Sequence, residues 1–129
     1  MNAVPPKRCP CGLPAEYDDC CGRFIEGRAL PENPESLMRS RYTAFTQANV
    51  QYIRRTMQGK PLKNFNLRMT QDWASRVTWL GLTVHTSEVV GNRGTVSFCA
   101  RFDDNGVPGD ITEVSQFYRA GGVWYYTGI

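Results

Sequence analysis

The chain has 129 residues, 15 Lys plus Arg against 12 Asp plus Glu, and 41% apolar residues that include three Trp, six Tyr and six Phe. That length suits about one domain with one modest core, and the aromatic content argues against disorder. No apolar run approaches the roughly 18 residues that span a bilayer, the start MNAVPPKRCPCG lacks the apolar stretch of a secretory signal, and a net charge of +3 is too small to argue for nucleic acid by itself; a cytoplasmic protein without a membrane partner is expected.

Residues 1–31 contain Pro5, Pro6, Pro10, Pro14 and Pro31 with little periodicity, so this stretch cannot build a core unaided. Four of the five cysteines lie in it, Cys9, Cys11, Cys20 and Cys21, in the pattern C-x-C-x8-C-C, while Cys99 stands alone downstream. Two extended cysteines one residue apart can point to the same side, and the intervening loop can return the second pair to close a tetrahedron of thiolates. Gly12 and Gly22, directly after each pair, allow the backbone to approach the sulfurs. Zinc suits this donor set, and with all four positions taken by protein the single ion would be structural rather than catalytic. Disulfides or redox-active thiols are a second reading, weakened because the adjacent Cys20 and Cys21 can hardly pair without backbone strain and no export signal is seen. An iron–sulfur cluster is a third, although its usual spacings differ.

Helix signals begin at Asn33-Pro34-Glu35, where Asn can cap free amides, Pro is tolerated in the first turn and Glu suits the positive helix end. Leu37, Met38, Arg41, Tyr42, Phe45 and Ala48 repeat at three- and four-residue steps and mark one face. Asn49 can cap a second short helix with Val50, Ile53 and Met57 on one side, ended by Gly59 and Pro61. A third short helix, capped by Thr70, is predicted through Trp73.

From Trp79 the apolar period becomes two, with turn signals about every ten residues, as in an antiparallel meander. Gly91 to Gly94 separates the first two strands; Val96, Phe98, Ala100 and Phe102 share one face of the second, and Thr95, Ser97, Cys99 and Arg101 the other. Asp103 to Gly106 forms the next turn, a third strand runs near 111–120, Gly121-Gly122 turns again, and Val123 to Thr127 makes the last strand. Helices followed by strands predict an α+β domain over 32–129, helices packed on a curved antiparallel sheet, preceded by the 1–31 metal segment.

Charge is uneven along the chain: residues 1–35, 36–78 and 79–129 carry net −2, +7 and −2. The central block holds Arg39, Arg41, Arg54, Arg55, Lys60, Lys63, Arg68 and Arg76 against Asp72 alone, which is either a solvated helical face or a surface for an anionic partner.

The segment Cys9 to Gly22 resembles the SEC-C motif, the small zinc-binding element at the end of the SecA motor, patterned C-x-C-x8-C followed by Cys or His. LMRSRYTAF (Leu37 to Phe45) and EVSQFYRAGGVWYYTG (Glu113 to Gly128) resemble the bacterial YchJ-like family. Together these segments span nearly the whole chain. The resemblance implies a zinc knuckle followed by a nuclear-transport-factor-2-like (NTF2-like) cone of helices against a curved sheet. Relatives carry lysines in the metal loop where this chain has the acidic stretch Leu13 to Asp19, and a His where Thr112 precedes Glu113. Neither a basic docking surface nor a His-based pocket chemistry carries over. Some relatives end with a second such element, and one metal site is expected here.

The resemblance also implies a cone cavity, for which Arg41, Tyr42, Glu113 and Trp124 are candidate pocket residues. Alternation places Glu113, Ser115, Phe117 and Arg119 on one strand face, where the carboxylate would face solvent or pair with an arginine such as Arg41. His85 and Cys99 are read as an ordinary strand histidine and a half-buried thiol. No Ser/His/Asp set, phosphate loop or open metal site is visible, so no catalytic residue is assigned. Three functions compete: a non-enzymatic zinc-binding interaction or adaptor module with a protein partner, a small-molecule pocket protein or enzyme, and a ribosome- or RNA-associated protein using the Arg-rich block.

Overall fold

Asn33 caps the first long helix as expected: its Oδ1 accepts from Ser36 N at 2.8 Å, with Pro34 in the first turn. The computed structural model describes residues 7–129; Pro5, Pro6 and the rest of the first six residues of the expected metal segment lie outside the described residues. After a 3-10 turn at Tyr17–Asp19 come α1 (Cys21–Ile25), α2 (Pro34–Thr46), α3 (Val50–Arg55), α4 (Lys60–Lys63) and α5 (Leu67–Arg76). Asn49 caps α3 by accepting from Tyr52 N at 3.1 Å.

Two boundaries differ from the sequence expectation. Gly59 and Pro61 do not end α3, which stops at Arg55; they open α4, because proline is tolerated in a first helical turn as well as beyond a last one. The cap of α5 is Asn66, whose Oδ1 accepts from Met69 N at 2.9 Å, while Thr70 sits inside the helix and donates back to Asn66 O. The helix therefore starts earlier and runs to Arg76, bringing Trp73 onto its inner side.

The sheet is a four-stranded antiparallel meander in the order β1 (Thr78–Val90), β2 (Arg93–Asp104), β3 (Val107–Ala120), β4 (Val123–Gly128). Register irregularities at Trp79/Gly81 and Val84/Thr86 in β1 and at Gln116/Phe117 in β3 introduce the bends that curve it around the helices. The inner face follows the predicted alternation: Val96, Phe98 and Ala100 are buried on β2, and their partners across β3 are Ser115, Glu113 and Ile111.

Among the described residues two buried clusters result. Leu37, Met38 and Tyr42 of α2 pack on Val96, Phe98, Ala100, Phe117 and Trp124 of the sheet. Behind α2, the four clustered cysteines pack with Phe24, Ile25, Ala44, Tyr52, Ile53 and Met57. Tyr126 packs against both clusters, so the cysteine segment and the helices share a core. Among the described residues, no helix is long and apolar enough to cross a membrane.

Candidate metal centre and cavity

The cysteine segment closes on itself before it meets the helices. Cys9 N donates to Ala15 O at 2.9 Å and Tyr17 N to Lys7 O at 2.9 Å, pairing the two arms of the loop, and Cys20 N donates to Tyr17 O at 3.0 Å. Helix α1 then begins at Cys21. Both glycines after the cysteine pairs are needed, for different reasons. Gly12 has φ +94°, which side-chain-bearing residues avoid. At Gly22, a Cβ would lie 2.7 Å from Tyr17 O and from the Tyr17 ring.

Cys9, Cys11, Cys20 and Cys21 are all buried free thiols whose sulfurs lie within 4.8 Å of one another, and Cys11 Sγ to Cys20 Sγ is 3.7 Å. Taken by themselves, these thiols cannot all ionise. Hydrogen bonds from Cys11 and Cys21 hold Cys9 far below the ordinary thiol range, and hydrogen bonding to Cys11 and Cys9 raises Cys21. Burial and neighbouring sulfur charge push Cys20 up to about 12. A bound cation would supply the positive charge that lets all four become thiolates, so the chemistry of this donor set fits a single metal ion.

Residues the sequence did not single out support the knuckle. Thr43 Oγ1 lies 3.8 Å from Cys9 Sγ. Arg39 Nη1 donates to Cys11 O at 2.8 Å while its Nε donates to Glu35. Arg55 Nη2 donates to Ile25 O at 2.9 Å, satisfying a carbonyl at the end of α1. With Arg41 buried and Arg76 paired to Asp104, four of the eight cations in the central block make side-chain contacts among the described residues. No sequence signal distinguishes these from Arg54, Lys60, Lys63 and Arg68, because the difference lies in which carbonyl or carboxylate is nearby.

A cavity of about 470 Å³ lies between the helices and the sheet. Arg41, Tyr42 and Glu113 line it; Trp124 does not. Trp124 pairs with Arg119 across the β3–β4 ladder, with the Arg119 guanidinium 5.2 Å from its ring, and is buried in the sheet cluster. The face carrying Glu113 and Ser115 is the inner face of the sheet, since Ser115 and Phe117 are 1% and 2% exposed. Glu113 is therefore not on the solvent side, and Ser115 Oγ donates to its Oε2 at 2.6 Å. Arg41 does not form the anticipated direct pair with it; Arg41 Nη1 donates instead to Ile53 O and to Thr56 Oγ1. His85 is exposed on β1, and Cys99 is half-buried opposite Thr83 and Thr112 on the outer face, away from both sites.

Comparison with known proteins agrees with this architecture. Residues 33–128 match the model of the YchJ middle NTF2-like domain. A UPF0225 protein of Enterobacter sp. (strain 638) is 38% identical over 121 residues, covering 92% of this chain and 79% of that protein. The solution structure of a SEC-C motif containing protein from Rhodopseudomonas palustris superposes with a TM-score of 0.86 at 38% identity, covering 92% of this chain and 94% of that one. A crystal structure of a SEC-C motif containing protein from Psychrobacter arcticus gives 0.80 at 25% identity, covering 92% and 79%. With its cysteine knuckle, its curved sheet and these matches, the chain belongs to the YchJ-like UPF0225 family of SEC-C motif proteins with an NTF2-like domain.

Proposed function

We propose that this protein is a non-enzymatic interaction module whose knuckle is held on the NTF2-like domain by one structural zinc ion. The observation that carries the reading is the closed, buried donor set: four cysteine sulfurs within 4.8 Å of one another. A tetrahedron of thiolates about 2.3 Å from zinc has sulfurs about 3.8 Å apart, and Cys11 Sγ to Cys20 Sγ is 3.7 Å. Four protein ligands leave no position for water or substrate, which is the arrangement of structural rather than catalytic zinc. The supporting contacts act on backbone carbonyls of ligand residues: Arg39 on Cys11 O, and Arg23 Nε on Cys20 O at 3.2 Å. They orient the ligand loops rather than activate a nucleophile.

The adaptor role follows from that rigidity. A knuckle ordered by metal offers a fixed surface, and this one exposes Glu16, Asp18 and Asp19 on its loop and 3-10 turn. Its partner is proposed to be a protein in the cytoplasm. Elemental analysis of purified protein tests the metal claim directly: about one zinc per chain is expected, with less than half an equivalent of zinc, or stoichiometric iron in its place, refuting it. The partner claim is tested by affinity capture with loaded and chelated protein. Proteins retained equally by both would remove the knuckle from the interaction.

A further inference from the structure

The cavity between helices and sheet is separate from the metal centre and carries a chemistry of its own. One wall is aromatic: Tyr42, Phe45, Trp73 and Trp79 meet mostly edge to face, with ring centroids 5.2–6.5 Å apart. The lining also holds two opposite charges, one on α2 and one on β3. Arg41, 6% exposed, has its guanidinium 4.5 Å over the Tyr126 ring, and both of its hydrogen bonds, to Ile53 O at 2.8 Å and Thr56 Oγ1 at 2.7 Å, leave from Nη1. Burial lowers this guanidinium to about 10, so it remains charged at neutral pH. Glu113 uses Oε2 to accept from Ser115.

The remaining polar atoms are the informative ones. Among the described residues, Nε and Nη2 of Arg41 and Oε1 of Glu113 take no hydrogen bond. Nor do the two side chains approach within the 4.0 Å of an ion pair. Among the described residues no buried side-chain nitrogen or oxygen is without a partner, so these three atoms must reach open space, and the cavity is the space that both residues line. A buried cation would meet Arg41 and a buried anion Glu113, and either like-charge contact is unfavourable in an apolar site. A neutral group carrying an acceptor and a donor on one edge satisfies both charged side chains.

We propose that the cavity binds a neutral, flat aromatic carboxamide or lactam, its rings against Trp73 and Trp79, its carbonyl accepting from Arg41 and its N–H donating to Glu113. The volume of about 470 Å³ suits such a molecule, lying within the roughly 300–1,000 Å³ of small-molecule sites. Hydrogen bonds to the two charged groups would give the site its selectivity, because a ligand lacking the amide edge leaves both groups unpaired.

The test uses the whole metal-loaded protein and three probes that share one ring system: 2-naphthamide, naphthalene-2-carboxylate and 2-methylnaphthalene. Titrations are followed through the indole N–H signals of the tryptophans, of which Trp73 and Trp79 line the cavity and Trp124 does not. The amide should bind at least tenfold more tightly than either comparator, shifting Trp73 and Trp79 and leaving Trp124 in place. Glu113→Gln removes the negative charge and should reverse the order, the carboxylate then binding more tightly than the amide. The proposal is overturned if the carboxylate or the hydrocarbon matches the amide on the natural protein, if Trp124 responds as strongly as the other two, or if no probe shifts them up to its solubility limit. An unchanged order in a folded Glu113→Gln protein also overturns it. Should that variant not fold, the natural-protein titrations decide.

Discussion

Removing the metal should unfold the knuckle while the sheet stays folded, and the structure sets the scale. Ordering the roughly 20 residues from Lys7 to Ile25 costs about 20 kcal/mol of backbone entropy, at about 1 kcal/mol each. The apolar side chains this segment buries are chiefly Phe24 and Ile25, which return about 5 kcal/mol together. The remaining deficit of about 15 kcal/mol lies within the roughly 10–16 kcal/mol that structural zinc delivers in small domains. Chelation, or Cys21→Ser, should therefore release the segment. Hydrogen exchange at constant pH reads the result: protection at Cys9, Tyr17 and Glu26, whose amides donate to Ala15 O, Lys7 O and Gly22 O, should fall. The fall should be at least about 1,000-fold, or about 4 kcal/mol. Val96 and Phe98 at the centre of the sheet should keep their protection. Helix α3 should loosen by less than the knuckle, because Tyr52 and Ile53 pack against the cysteine cluster. A chelated protein whose Tyr17 and Glu26 amides exchange within tenfold of the loaded one would refute the reasoning.

Other outcomes follow from the same contacts. Gly22→Ala places a methyl against Tyr17 O and the Tyr17 ring; a loss of about 1–3 kcal/mol is expected, seen as a fall of several degrees in Tm. Arg55→Ala strips the donor from Ile25 O at the end of α1; denaturant unfolding should show about 1–2 kcal/mol less stability, with the sheet unchanged. Metal affinity should rise with pH. Cys20 and Cys21 are held above the ordinary thiol range and stay protonated at neutral pH, so binding displaces their protons and is favoured as protons become scarce. Calorimetric titrations in buffers of different ionisation enthalpy should register at least about two protons released per ion near pH 7. A pH-independent affinity would contradict this.

Short-range signals were sufficient wherever neighbouring residues decide the outcome. The C-x-C-x8-C-C pattern names the four cysteines that come together in a cluster able to hold a metal ion, because their spacing is a local property of the loop, and Asn33 and Asn49 cap their helices because a cap acts on an amide three residues away. The alternation on β2 and the turns at Asn105-Gly106 and Gly121-Gly122 are likewise local. Thr70 misled because the helix is capped four residues earlier, at Asn66, which leaves Thr70 inside its first turns. What only the tertiary structure decided is sidedness and pairing. A period of two states that Glu113 and Ser115 share a face with Phe117, but which side of the sheet the helices cover depends on contacts between distant segments. The same distant contacts bury Arg41 over Tyr126, turn Arg39 and Arg55 toward knuckle carbonyls, and take Trp124 into the sheet core while Trp73 and Trp79 line the cavity. Spacing along the chain thus names the four cysteines that could hold a metal ion, whereas the cavity, assembled from helices α2 to α5 and all four strands, exists only once those elements pack.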